Sequence, residues 1–269
     1  MTFAPGVYLD VDEPDYFADP ALSNSGAKSL LTSPAVYRDQ VDNPKPPTKS
    51  MELGTVVHTL VLGTGSRIGV VDADAWTTKA AKEEAAEMRA RGTVPVLAHQ
   101  FETAQKIAAR VREHDIAGQL FADGDPEVSM WWRDSETDIM RRCRIDWMMR
   151  RRGGNRQVLV DLKTTATHCE AGELAKAVAR YLYHMQSWWY CDGAQTLGLG
   201  ADPAFVFVFV STTSPHLVRV VELDAEAVAV GKQLARQAID RFIECTNAGV
   251  WPGWPPTITS LSLPRWAMR

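Results

Sequence analysis

RCRIDWMMRRRGGNRQVLVDLKTT, residues 142–165, is the stretch whose reading decides the fold. It reads as two strands joined by a turn at Gly153-Gly154. Side chains alternate faces along a strand, so Asp161 and Lys163 share one face while Val158, Val160 and Leu162 take the other. Arg142, Arg144 and Asp146 likewise share a face of the first strand, with Ile145 and Trp147 apolar beside them. A hairpin in this register brings Asp146 beside Asp161. Two carboxylates with a lysine close by suit a hard divalent cation such as Mg²⁺ or Mn²⁺, which activates water and neutralises phosphate charge. The competing reading is a solvent-exposed Asp-x-Lys pair. The apolar run around Asp161 weighs against it, because a charge in a hydrophobic strand needs a partner or a metal.

Seven arginines, at 141, 142, 144, 150, 151, 152 and 156, crowd the same hairpin. One reading is a solvated turn. The other is a local positive surface that holds phosphates, with Arg142, Arg144, Arg150, Arg151 and Arg152 facing DNA. The net charge of −4 makes no global case for nucleic acid.

The 269 residues can bury one substantial core, and the apolar (45%) and charged (23%) fractions are those of an ordinary globular protein. No apolar run is long enough to span a bilayer, and MTFAPGVYLDVDEPDY lacks the basic and apolar regions of a secretory signal. Cys143, Cys169, Cys191 and Cys245 are scattered, with no C-x-x-C pair. That argues for a reducing cytoplasm and against a zinc ribbon or an iron–sulfur cluster.

Working outward, residues 1–22 read as extended. Ser25 reads as the cap of a short helix that breaks before Pro34, and a second short helix follows over 35–41. Residues 51–63, MELGTVVHTLVLG, read as a helix with Leu53, Val56, Val57, Leu60 and Val61 as its buried stripe. His58 sits in that helix and alone reads as a packed core histidine. Residues 68–78 suggest a short strand and a turn. Thr78 to Glu113 is helical, split in two by Gly92 and Pro95. EVSMWWR, 127–133, is a strand begun by Glu127. Residues 170–197 read as one long helix with Gln186 and Tyr190 on one face. Trp188 and Trp189 read as core. PAFVFVFVST and RVVELD are strands, 224–248 a helix, and the Pro- and Trp-rich end packs back on the body. The sum is an α/β protein with a mixed sheet of about five strands flanked by helices. It forms one domain over 1–269, with an N-terminal segment to 50, a core over 51–248 and a tail over 249–269.

The elements LSNSGAKSLLTSPAVY, GTVVH, RCRID, DLKTT and QSWWY, taken together, resemble the PD-(D/E)xK nuclease superfamily. More narrowly they resemble the phage and prophage exonuclease VIII (RecE-type) family, and more distantly RecB-type nuclease domains and lambda exonuclease. The resemblance implies a restriction-endonuclease-like core and a Mg²⁺-dependent exodeoxyribonuclease, with Mn²⁺ able to substitute. It implies His58, Asp146, Asp161 and the Leu162 carbonyl around the metal, more loosely Glu127, and Lys163, Gln186 and Tyr190 as catalytic. It also implies 5′→3′ degradation of linear duplex DNA, a homo-oligomeric ring (trimer or tetramer) and a single-strand annealing (RecT-type) partner. A site-specific endonuclease of the superfamily and a non-catalytic DNA-binding protein on the same fold stay open as alternatives.

Overall fold

The computed structural model describes residues 2–44, 49–150 and 156–263, with the side chains of 49–52 excepted. The Gly153-Gly154 turn, Arg151, Arg152 and most of the 44–50 loop lie outside the described residues.

The N-terminal segment is not simply extended. It forms β1 (Gly6–Tyr8), α1 (Glu13–Ala18) and β2 (Leu22–Ser23). Next come α2 (Asn24–Thr32) and α3 (Pro34–Asp42). Ser23, rather than Ser25, caps α2, its hydroxyl accepting from Gly26 N at 3.1 Å. The β-branch-free run after Ser23 lets the helix start two residues earlier than the reading placed it. α4 (Lys49–Leu62) buries Val56, Val57 and Val61 at the expected spacing.

Over 67–113 the expected strand and both expected helices form, with one further strand between the helices. β3 (Arg67–Val71) is followed by α5 (Lys79–Ala90), β4 (Thr93–Leu97) and α6 (Ala98–Glu113), and β3 pairs with β4 in parallel as a separate two-stranded sheet. Pro95 does not merely break a helix; it sits inside a strand, where only the partner across the ladder decides between the two. α7 (Asp115–Leu120) completes this half.

The main sheet comprises β5 (Gly124–Arg133), β6 (Met140–Met149), β7 (Val158–Thr165), β8 (Ala204–Ser211) and β9 (Val218–Glu222), with β1 as an added edge and β2 alongside β6. Among the described residues it therefore has seven strands, the two extra ones coming from the N-terminal segment. β7 and β8 are parallel, as are β2 and β6; the other neighbours are antiparallel. α8 (Ala171–Arg180) and α9 (Tyr183–Thr196) replace the single long helix, because Leu182 adopts φ 52° and turns the chain. α10 (Ala225–Ala248) packs across α9. Gly231 makes that approach feasible, since a Cβ there would lie 2.1 Å from the His184 carbonyl oxygen.

Each face of the sheet carries its own core. Val128, Met130, Cys143, Ile145, Leu159, Phe205 and Phe207 pack with α2, α9 and α10. Val160, Leu162, Val208 and Val210 pack with Val56 and Val57 of α4 and Ile107 and Val111 of α6. A small cluster of Tyr16, Ala21 and Trp131 seats the N-terminal segment. Trp189 is fully buried and Trp188 partly so, as read from sequence. Among the described residues the C-terminal segment packs back through Trp251 and Pro252, whose carbonyl accepts from Ala35 N; Trp254, Ile258, Leu261 and Leu263 are exposed. Among the described residues no helix is long and apolar enough to cross a membrane.

Candidate active site

β6 and β7 are in register at Trp147–Val160 and Met148–Leu159, so the next step of the ladder sets Asp146 opposite Asp161. There the backbone pairing gives way to a side chain: Leu162 N donates to Asp146 Oδ2 at 2.8 Å. The alternation of β6 also breaks at this point. Cys143 and Ile145 enter one core, Trp147 enters the other and Met148 returns to the first. On the far side of β6, Glu127 of β5 lies between the pairs Pro126–Trp147 and Val128–Ile145, hence opposite Asp146. Its φ is 51°, a left-handed conformation that a non-glycine residue adopts at a cost and that concentrates at functional sites. Glu127, Asp146 and Asp161 thus stand at one level on three adjacent strands.

Asp161 is 2% exposed. Its Oδ1 accepts from Gln186 Nε2 of α9 at 2.5 Å, and its Oδ2 is 2.6 Å from Lys163 Nζ. Burial, with Asp146 adding repulsion, raises the Asp161 carboxyl above its ordinary range against the pull of Lys163. Burial works to lower the Lys163 ammonium, but Asp161 and Asp146 outweigh it and hold it raised. Glu127 is pushed up to about 7, by burial first and Asp146 second. His58 Nε2 lies 2.7 Å from the Leu162 carbonyl oxygen and 3.7 Å from Asp146 Oδ2. A carbonyl only accepts, so Nε2 carries the proton and donates. As placed, His58 and the Leu162 carbonyl engage each other instead of both facing a metal. Tyr190, one helical turn after Gln186, is buried with its ring edge-on to Phe205, and burial drives its hydroxyl well above the usual range.

These groups open into a cleft of about 1110 Å³ lined by Asp10–Glu13, Tyr16, Phe17, Ser25, His58, Thr64–Arg67, Arg91, Glu127, Arg144, Asp146, Leu162, Lys163, Tyr183 and Tyr190. Two participants escaped the sequence reading. Tyr183 carries Lys163 Nζ 5.2 Å and Lys28 Nζ 5.5 Å from its ring centroid. Lys28 of α2 is half-buried, and burial with the repulsion of Lys163 lowers its ammonium to about 8. The available signal was a lysine set within the apolar positions Ala27 and Leu30 of a capped helix.

The arginine surface is a correction. Arg142 is buried, its guanidinium donating to the carbonyls of Tyr16 and Asp19, and so cannot reach a phosphate. Arg144 lines the cleft, but its guanidinium bonds Ser129 Oγ at 3.0 Å and Val11 O at 2.7 Å. Arg150 is exposed and paired with Asp123 and Asp125. A long cation in a tightly packed sheet finds the nearest carbonyls and carboxylates, and in β6 those belong to the N-terminal segment. Arg151 and Arg152 lie outside the described residues.

The donor set fits a hard cation. Asp161 Oδ2 is a buried carboxylate oxygen with no well-aligned hydrogen bond, and Asp146 and the Leu162 carbonyl supply further oxygens. Among the described residues no three His, Cys, Asp or Glu side chains already converge as a metal cage; Gln186, Lys163 and Leu162 N occupy the carboxylates.

The crystal structure of a "putative exonuclease" from Eubacterium rectale superposes with a TM-score of 0.65 at 13% identity, covering 97% of this chain and 98% of that one. This shows a shared fold. The crystal structure of SSO0001 covers 74% of this chain and 87% of its own at 10% identity, with a TM-score of 0.30, too low to carry an argument. No curated protein matches the sequence. The family model of the PDDEXK-like domain of unknown function (DUF3799) matches residues 23–258, and the chain therefore belongs to that family, within the PD-(D/E)xK nuclease superfamily.

Proposed function

We propose that this protein is a divalent-metal-dependent nuclease that degrades linear double-stranded DNA from its ends. The observation that carries the reading is that Asp146 and Lys163 line one open cleft at the point where β6 and β7 separate, with Asp161, held by Gln186, buried directly behind them. Asp146, Asp161 and the Leu162 carbonyl would hold Mg²⁺ or Mn²⁺, which supplies Lewis-acid neutralisation of the scissile phosphate. Lys163 places a fixed positive charge beside the carboxylates, where it steadies an attacking water and the charge growing on a non-bridging oxygen. Gln186 fixes the Asp161 rotamer, and His58 fixes the Leu162 carbonyl. Glu127, held near neutrality by its surroundings, is suited to accept a proton or to join the acidic shell.

The resemblance to the RecE-type family supports the finer features of the proposal: 5′→3′ polarity leaving 3′ single strands, a homo-oligomeric ring and a RecT-type annealing partner. The test is incubation of the full chain with linear, 5′-labelled duplex and with covalently closed circular DNA, with and without Mg²⁺. Progressive loss of the linear duplex, with circles intact and chelator abolishing the reaction, is the expected result. Cutting of circles would replace the end-dependent reading with an endonuclease, and inertness toward both substrates in Mg²⁺ and Mn²⁺ would overturn catalysis.

A further inference from the structure

The lining of the cleft has two unlike parts. One is the segment Asp10–Phe17, anchored from beneath by the arginines of β6: Arg144 donates to Val11 O and Arg142 to Tyr16 O. The Tyr16 ring rests 4.4 Å from the Arg144 guanidinium and 4.8 Å from that of Arg142. Phe17 stands edge-to-face on Tyr16, with centroids 5.4 Å apart and planes at 79°. Its ring is therefore oriented by a buried neighbour, yet Phe17 is 64% exposed and lines the same cleft as Asp146 and Lys163. The residues flanking it, Asp12, Glu13 and Asp15, are acidic and exposed. The other part of the lining carries Arg67 and Arg91.

A nucleotide chain entering this cleft meets like charge at Asp10–Phe17 and opposite charge at Lys163, Arg67 and Arg91. Its phosphates are turned away from the first part, which leaves the uncharged, flat portion of the nucleotide to meet Phe17. An exposed aromatic ring with a fixed orientation offers a π-face that any base can stack on. We propose that Phe17 is a stacking platform for an unpaired nucleobase of the strand whose backbone lies at Asp146, Asp161 and Lys163. Inside a duplex both faces of a base are covered by its neighbours, so the platform takes a base at or beyond the duplex end, and the proposed substrate form is a frayed or single-stranded end. This rests on the nuclease reading above.

The test measures binding of the full chain, in chelator to prevent cleavage, to a duplex with a short single-stranded end carrying 2-aminopurine, whose fluorescence is quenched by stacking. Phe17→Ala is expected to weaken binding by about 5- to 150-fold, the effect of removing one base–aromatic stack, and to relieve the quenching. Phe17→Trp should keep both. On a substrate with abasic sites in the single-stranded end, the wild type and Phe17→Ala should bind alike, which isolates the base–ring term. Because Phe17 is exposed, the melting temperature should not move. Equal binding of the intact end by wild type and Phe17→Ala, or an equal loss on intact and abasic ends, overturns the platform while leaving the nuclease reading standing. A wild-type chain that neither binds nor cleaves DNA overturns both.

Discussion

Two clusters of charge lie within this fold, and they are built on opposite principles. Asp134, Arg141, Asp192 and Arg236 form a closed set. Arg236 grips Asp134 with two hydrogen bonds at 2.9 and 2.5 Å, and Arg141 bridges Asp134 at 2.6 Å and Asp192 at 2.5 Å. Two positive charges meet these two negative ones, and exposed Glu136 adds a third, 3.5 Å from Arg236. The Arg141 guanidinium lies 4.4 to 5.1 Å from the rings of Trp132, Trp188 and Trp189, with no solvent exposure. Burial alone would raise the Asp134 carboxyl, but Arg236, Thr137 and Arg141 outweigh it and hold it well below the ordinary range. The second cluster gathers three carboxyl groups beside Lys163, Glu127 and Asp146 on the wall of an open cleft and Asp161 buried behind them, and the carboxyls of Glu127 and Asp161 are raised. A set in which every buried charge is paired is a structural bolt. An unbalanced, acid-rich set that faces a cleft is frustrated by itself and completed by something that brings positive charge.

The sharpest way to break the comparison is to neutralise one member of each. Asp146→Asn and Asp161→Asn keep the hydrogen-bonding shape while removing charge. Cleavage should fall below detection in both, and thermal melting of Asp146→Asn in chelator should stay put or rise, because like charges are relieved while Lys163 keeps Asp161. Arg141→Met should do the reverse, costing about 3–5 kcal/mol of stability by leaving buried Asp134 and half-buried Asp192 undercompensated, as chemical denaturation would measure. A stable Arg141→Met, or an unfolded Asp146→Asn, would abolish the distinction. Lys163→Ala should lower the cleavage rate about 10²–10³-fold with DNA binding nearly unchanged; normal cleavage with weak binding would make Lys163 a phosphate anchor instead.

The smallest effect is in acid. Asp134 binds its proton less readily folded than unfolded, so its stabilisation is full above the unfolded pKa of about 4 and is lost as pH falls through the folded value. Below pH 4 the wild type should therefore lose stability by up to about 1.4 kcal/mol per pH unit from this group. The stability difference between wild type and Asp134→Asn should shrink over the same range, as urea titrations at pH 7, 4 and 3 would show. A difference that stays constant would mean Asp134 is not the linked group.

Much of the fold and the core of the site were legible because they depend on local periods. Asp161 and Lys163 share a face through the two-residue repeat of β7, and Gln186 and Tyr190 through one turn of α9. The apolar stripe of α4 likewise follows from the spacing of Val56, Val57 and Val61. Even the facing of Asp146 and Asp161 follows from strand register. What the sequence could not decide was which neighbour each long polar side chain would find. Arg142 and Arg144 look like phosphate ligands until the N-terminal segment folds over them and offers carbonyls. Lys28 looks like an ordinary helix lysine until α2 sets it beside Tyr183. Pro95 looks like a helix break until β3 arrives to pair with its strand, and residues 170–197 look like one helix until Leu182 turns left-handed. Each of these is fixed by contacts between residues distant in the chain. Local spacing determines which way a side chain points, but only tertiary packing determines what it meets there, and with it whether a charge becomes part of the site or part of the scaffold.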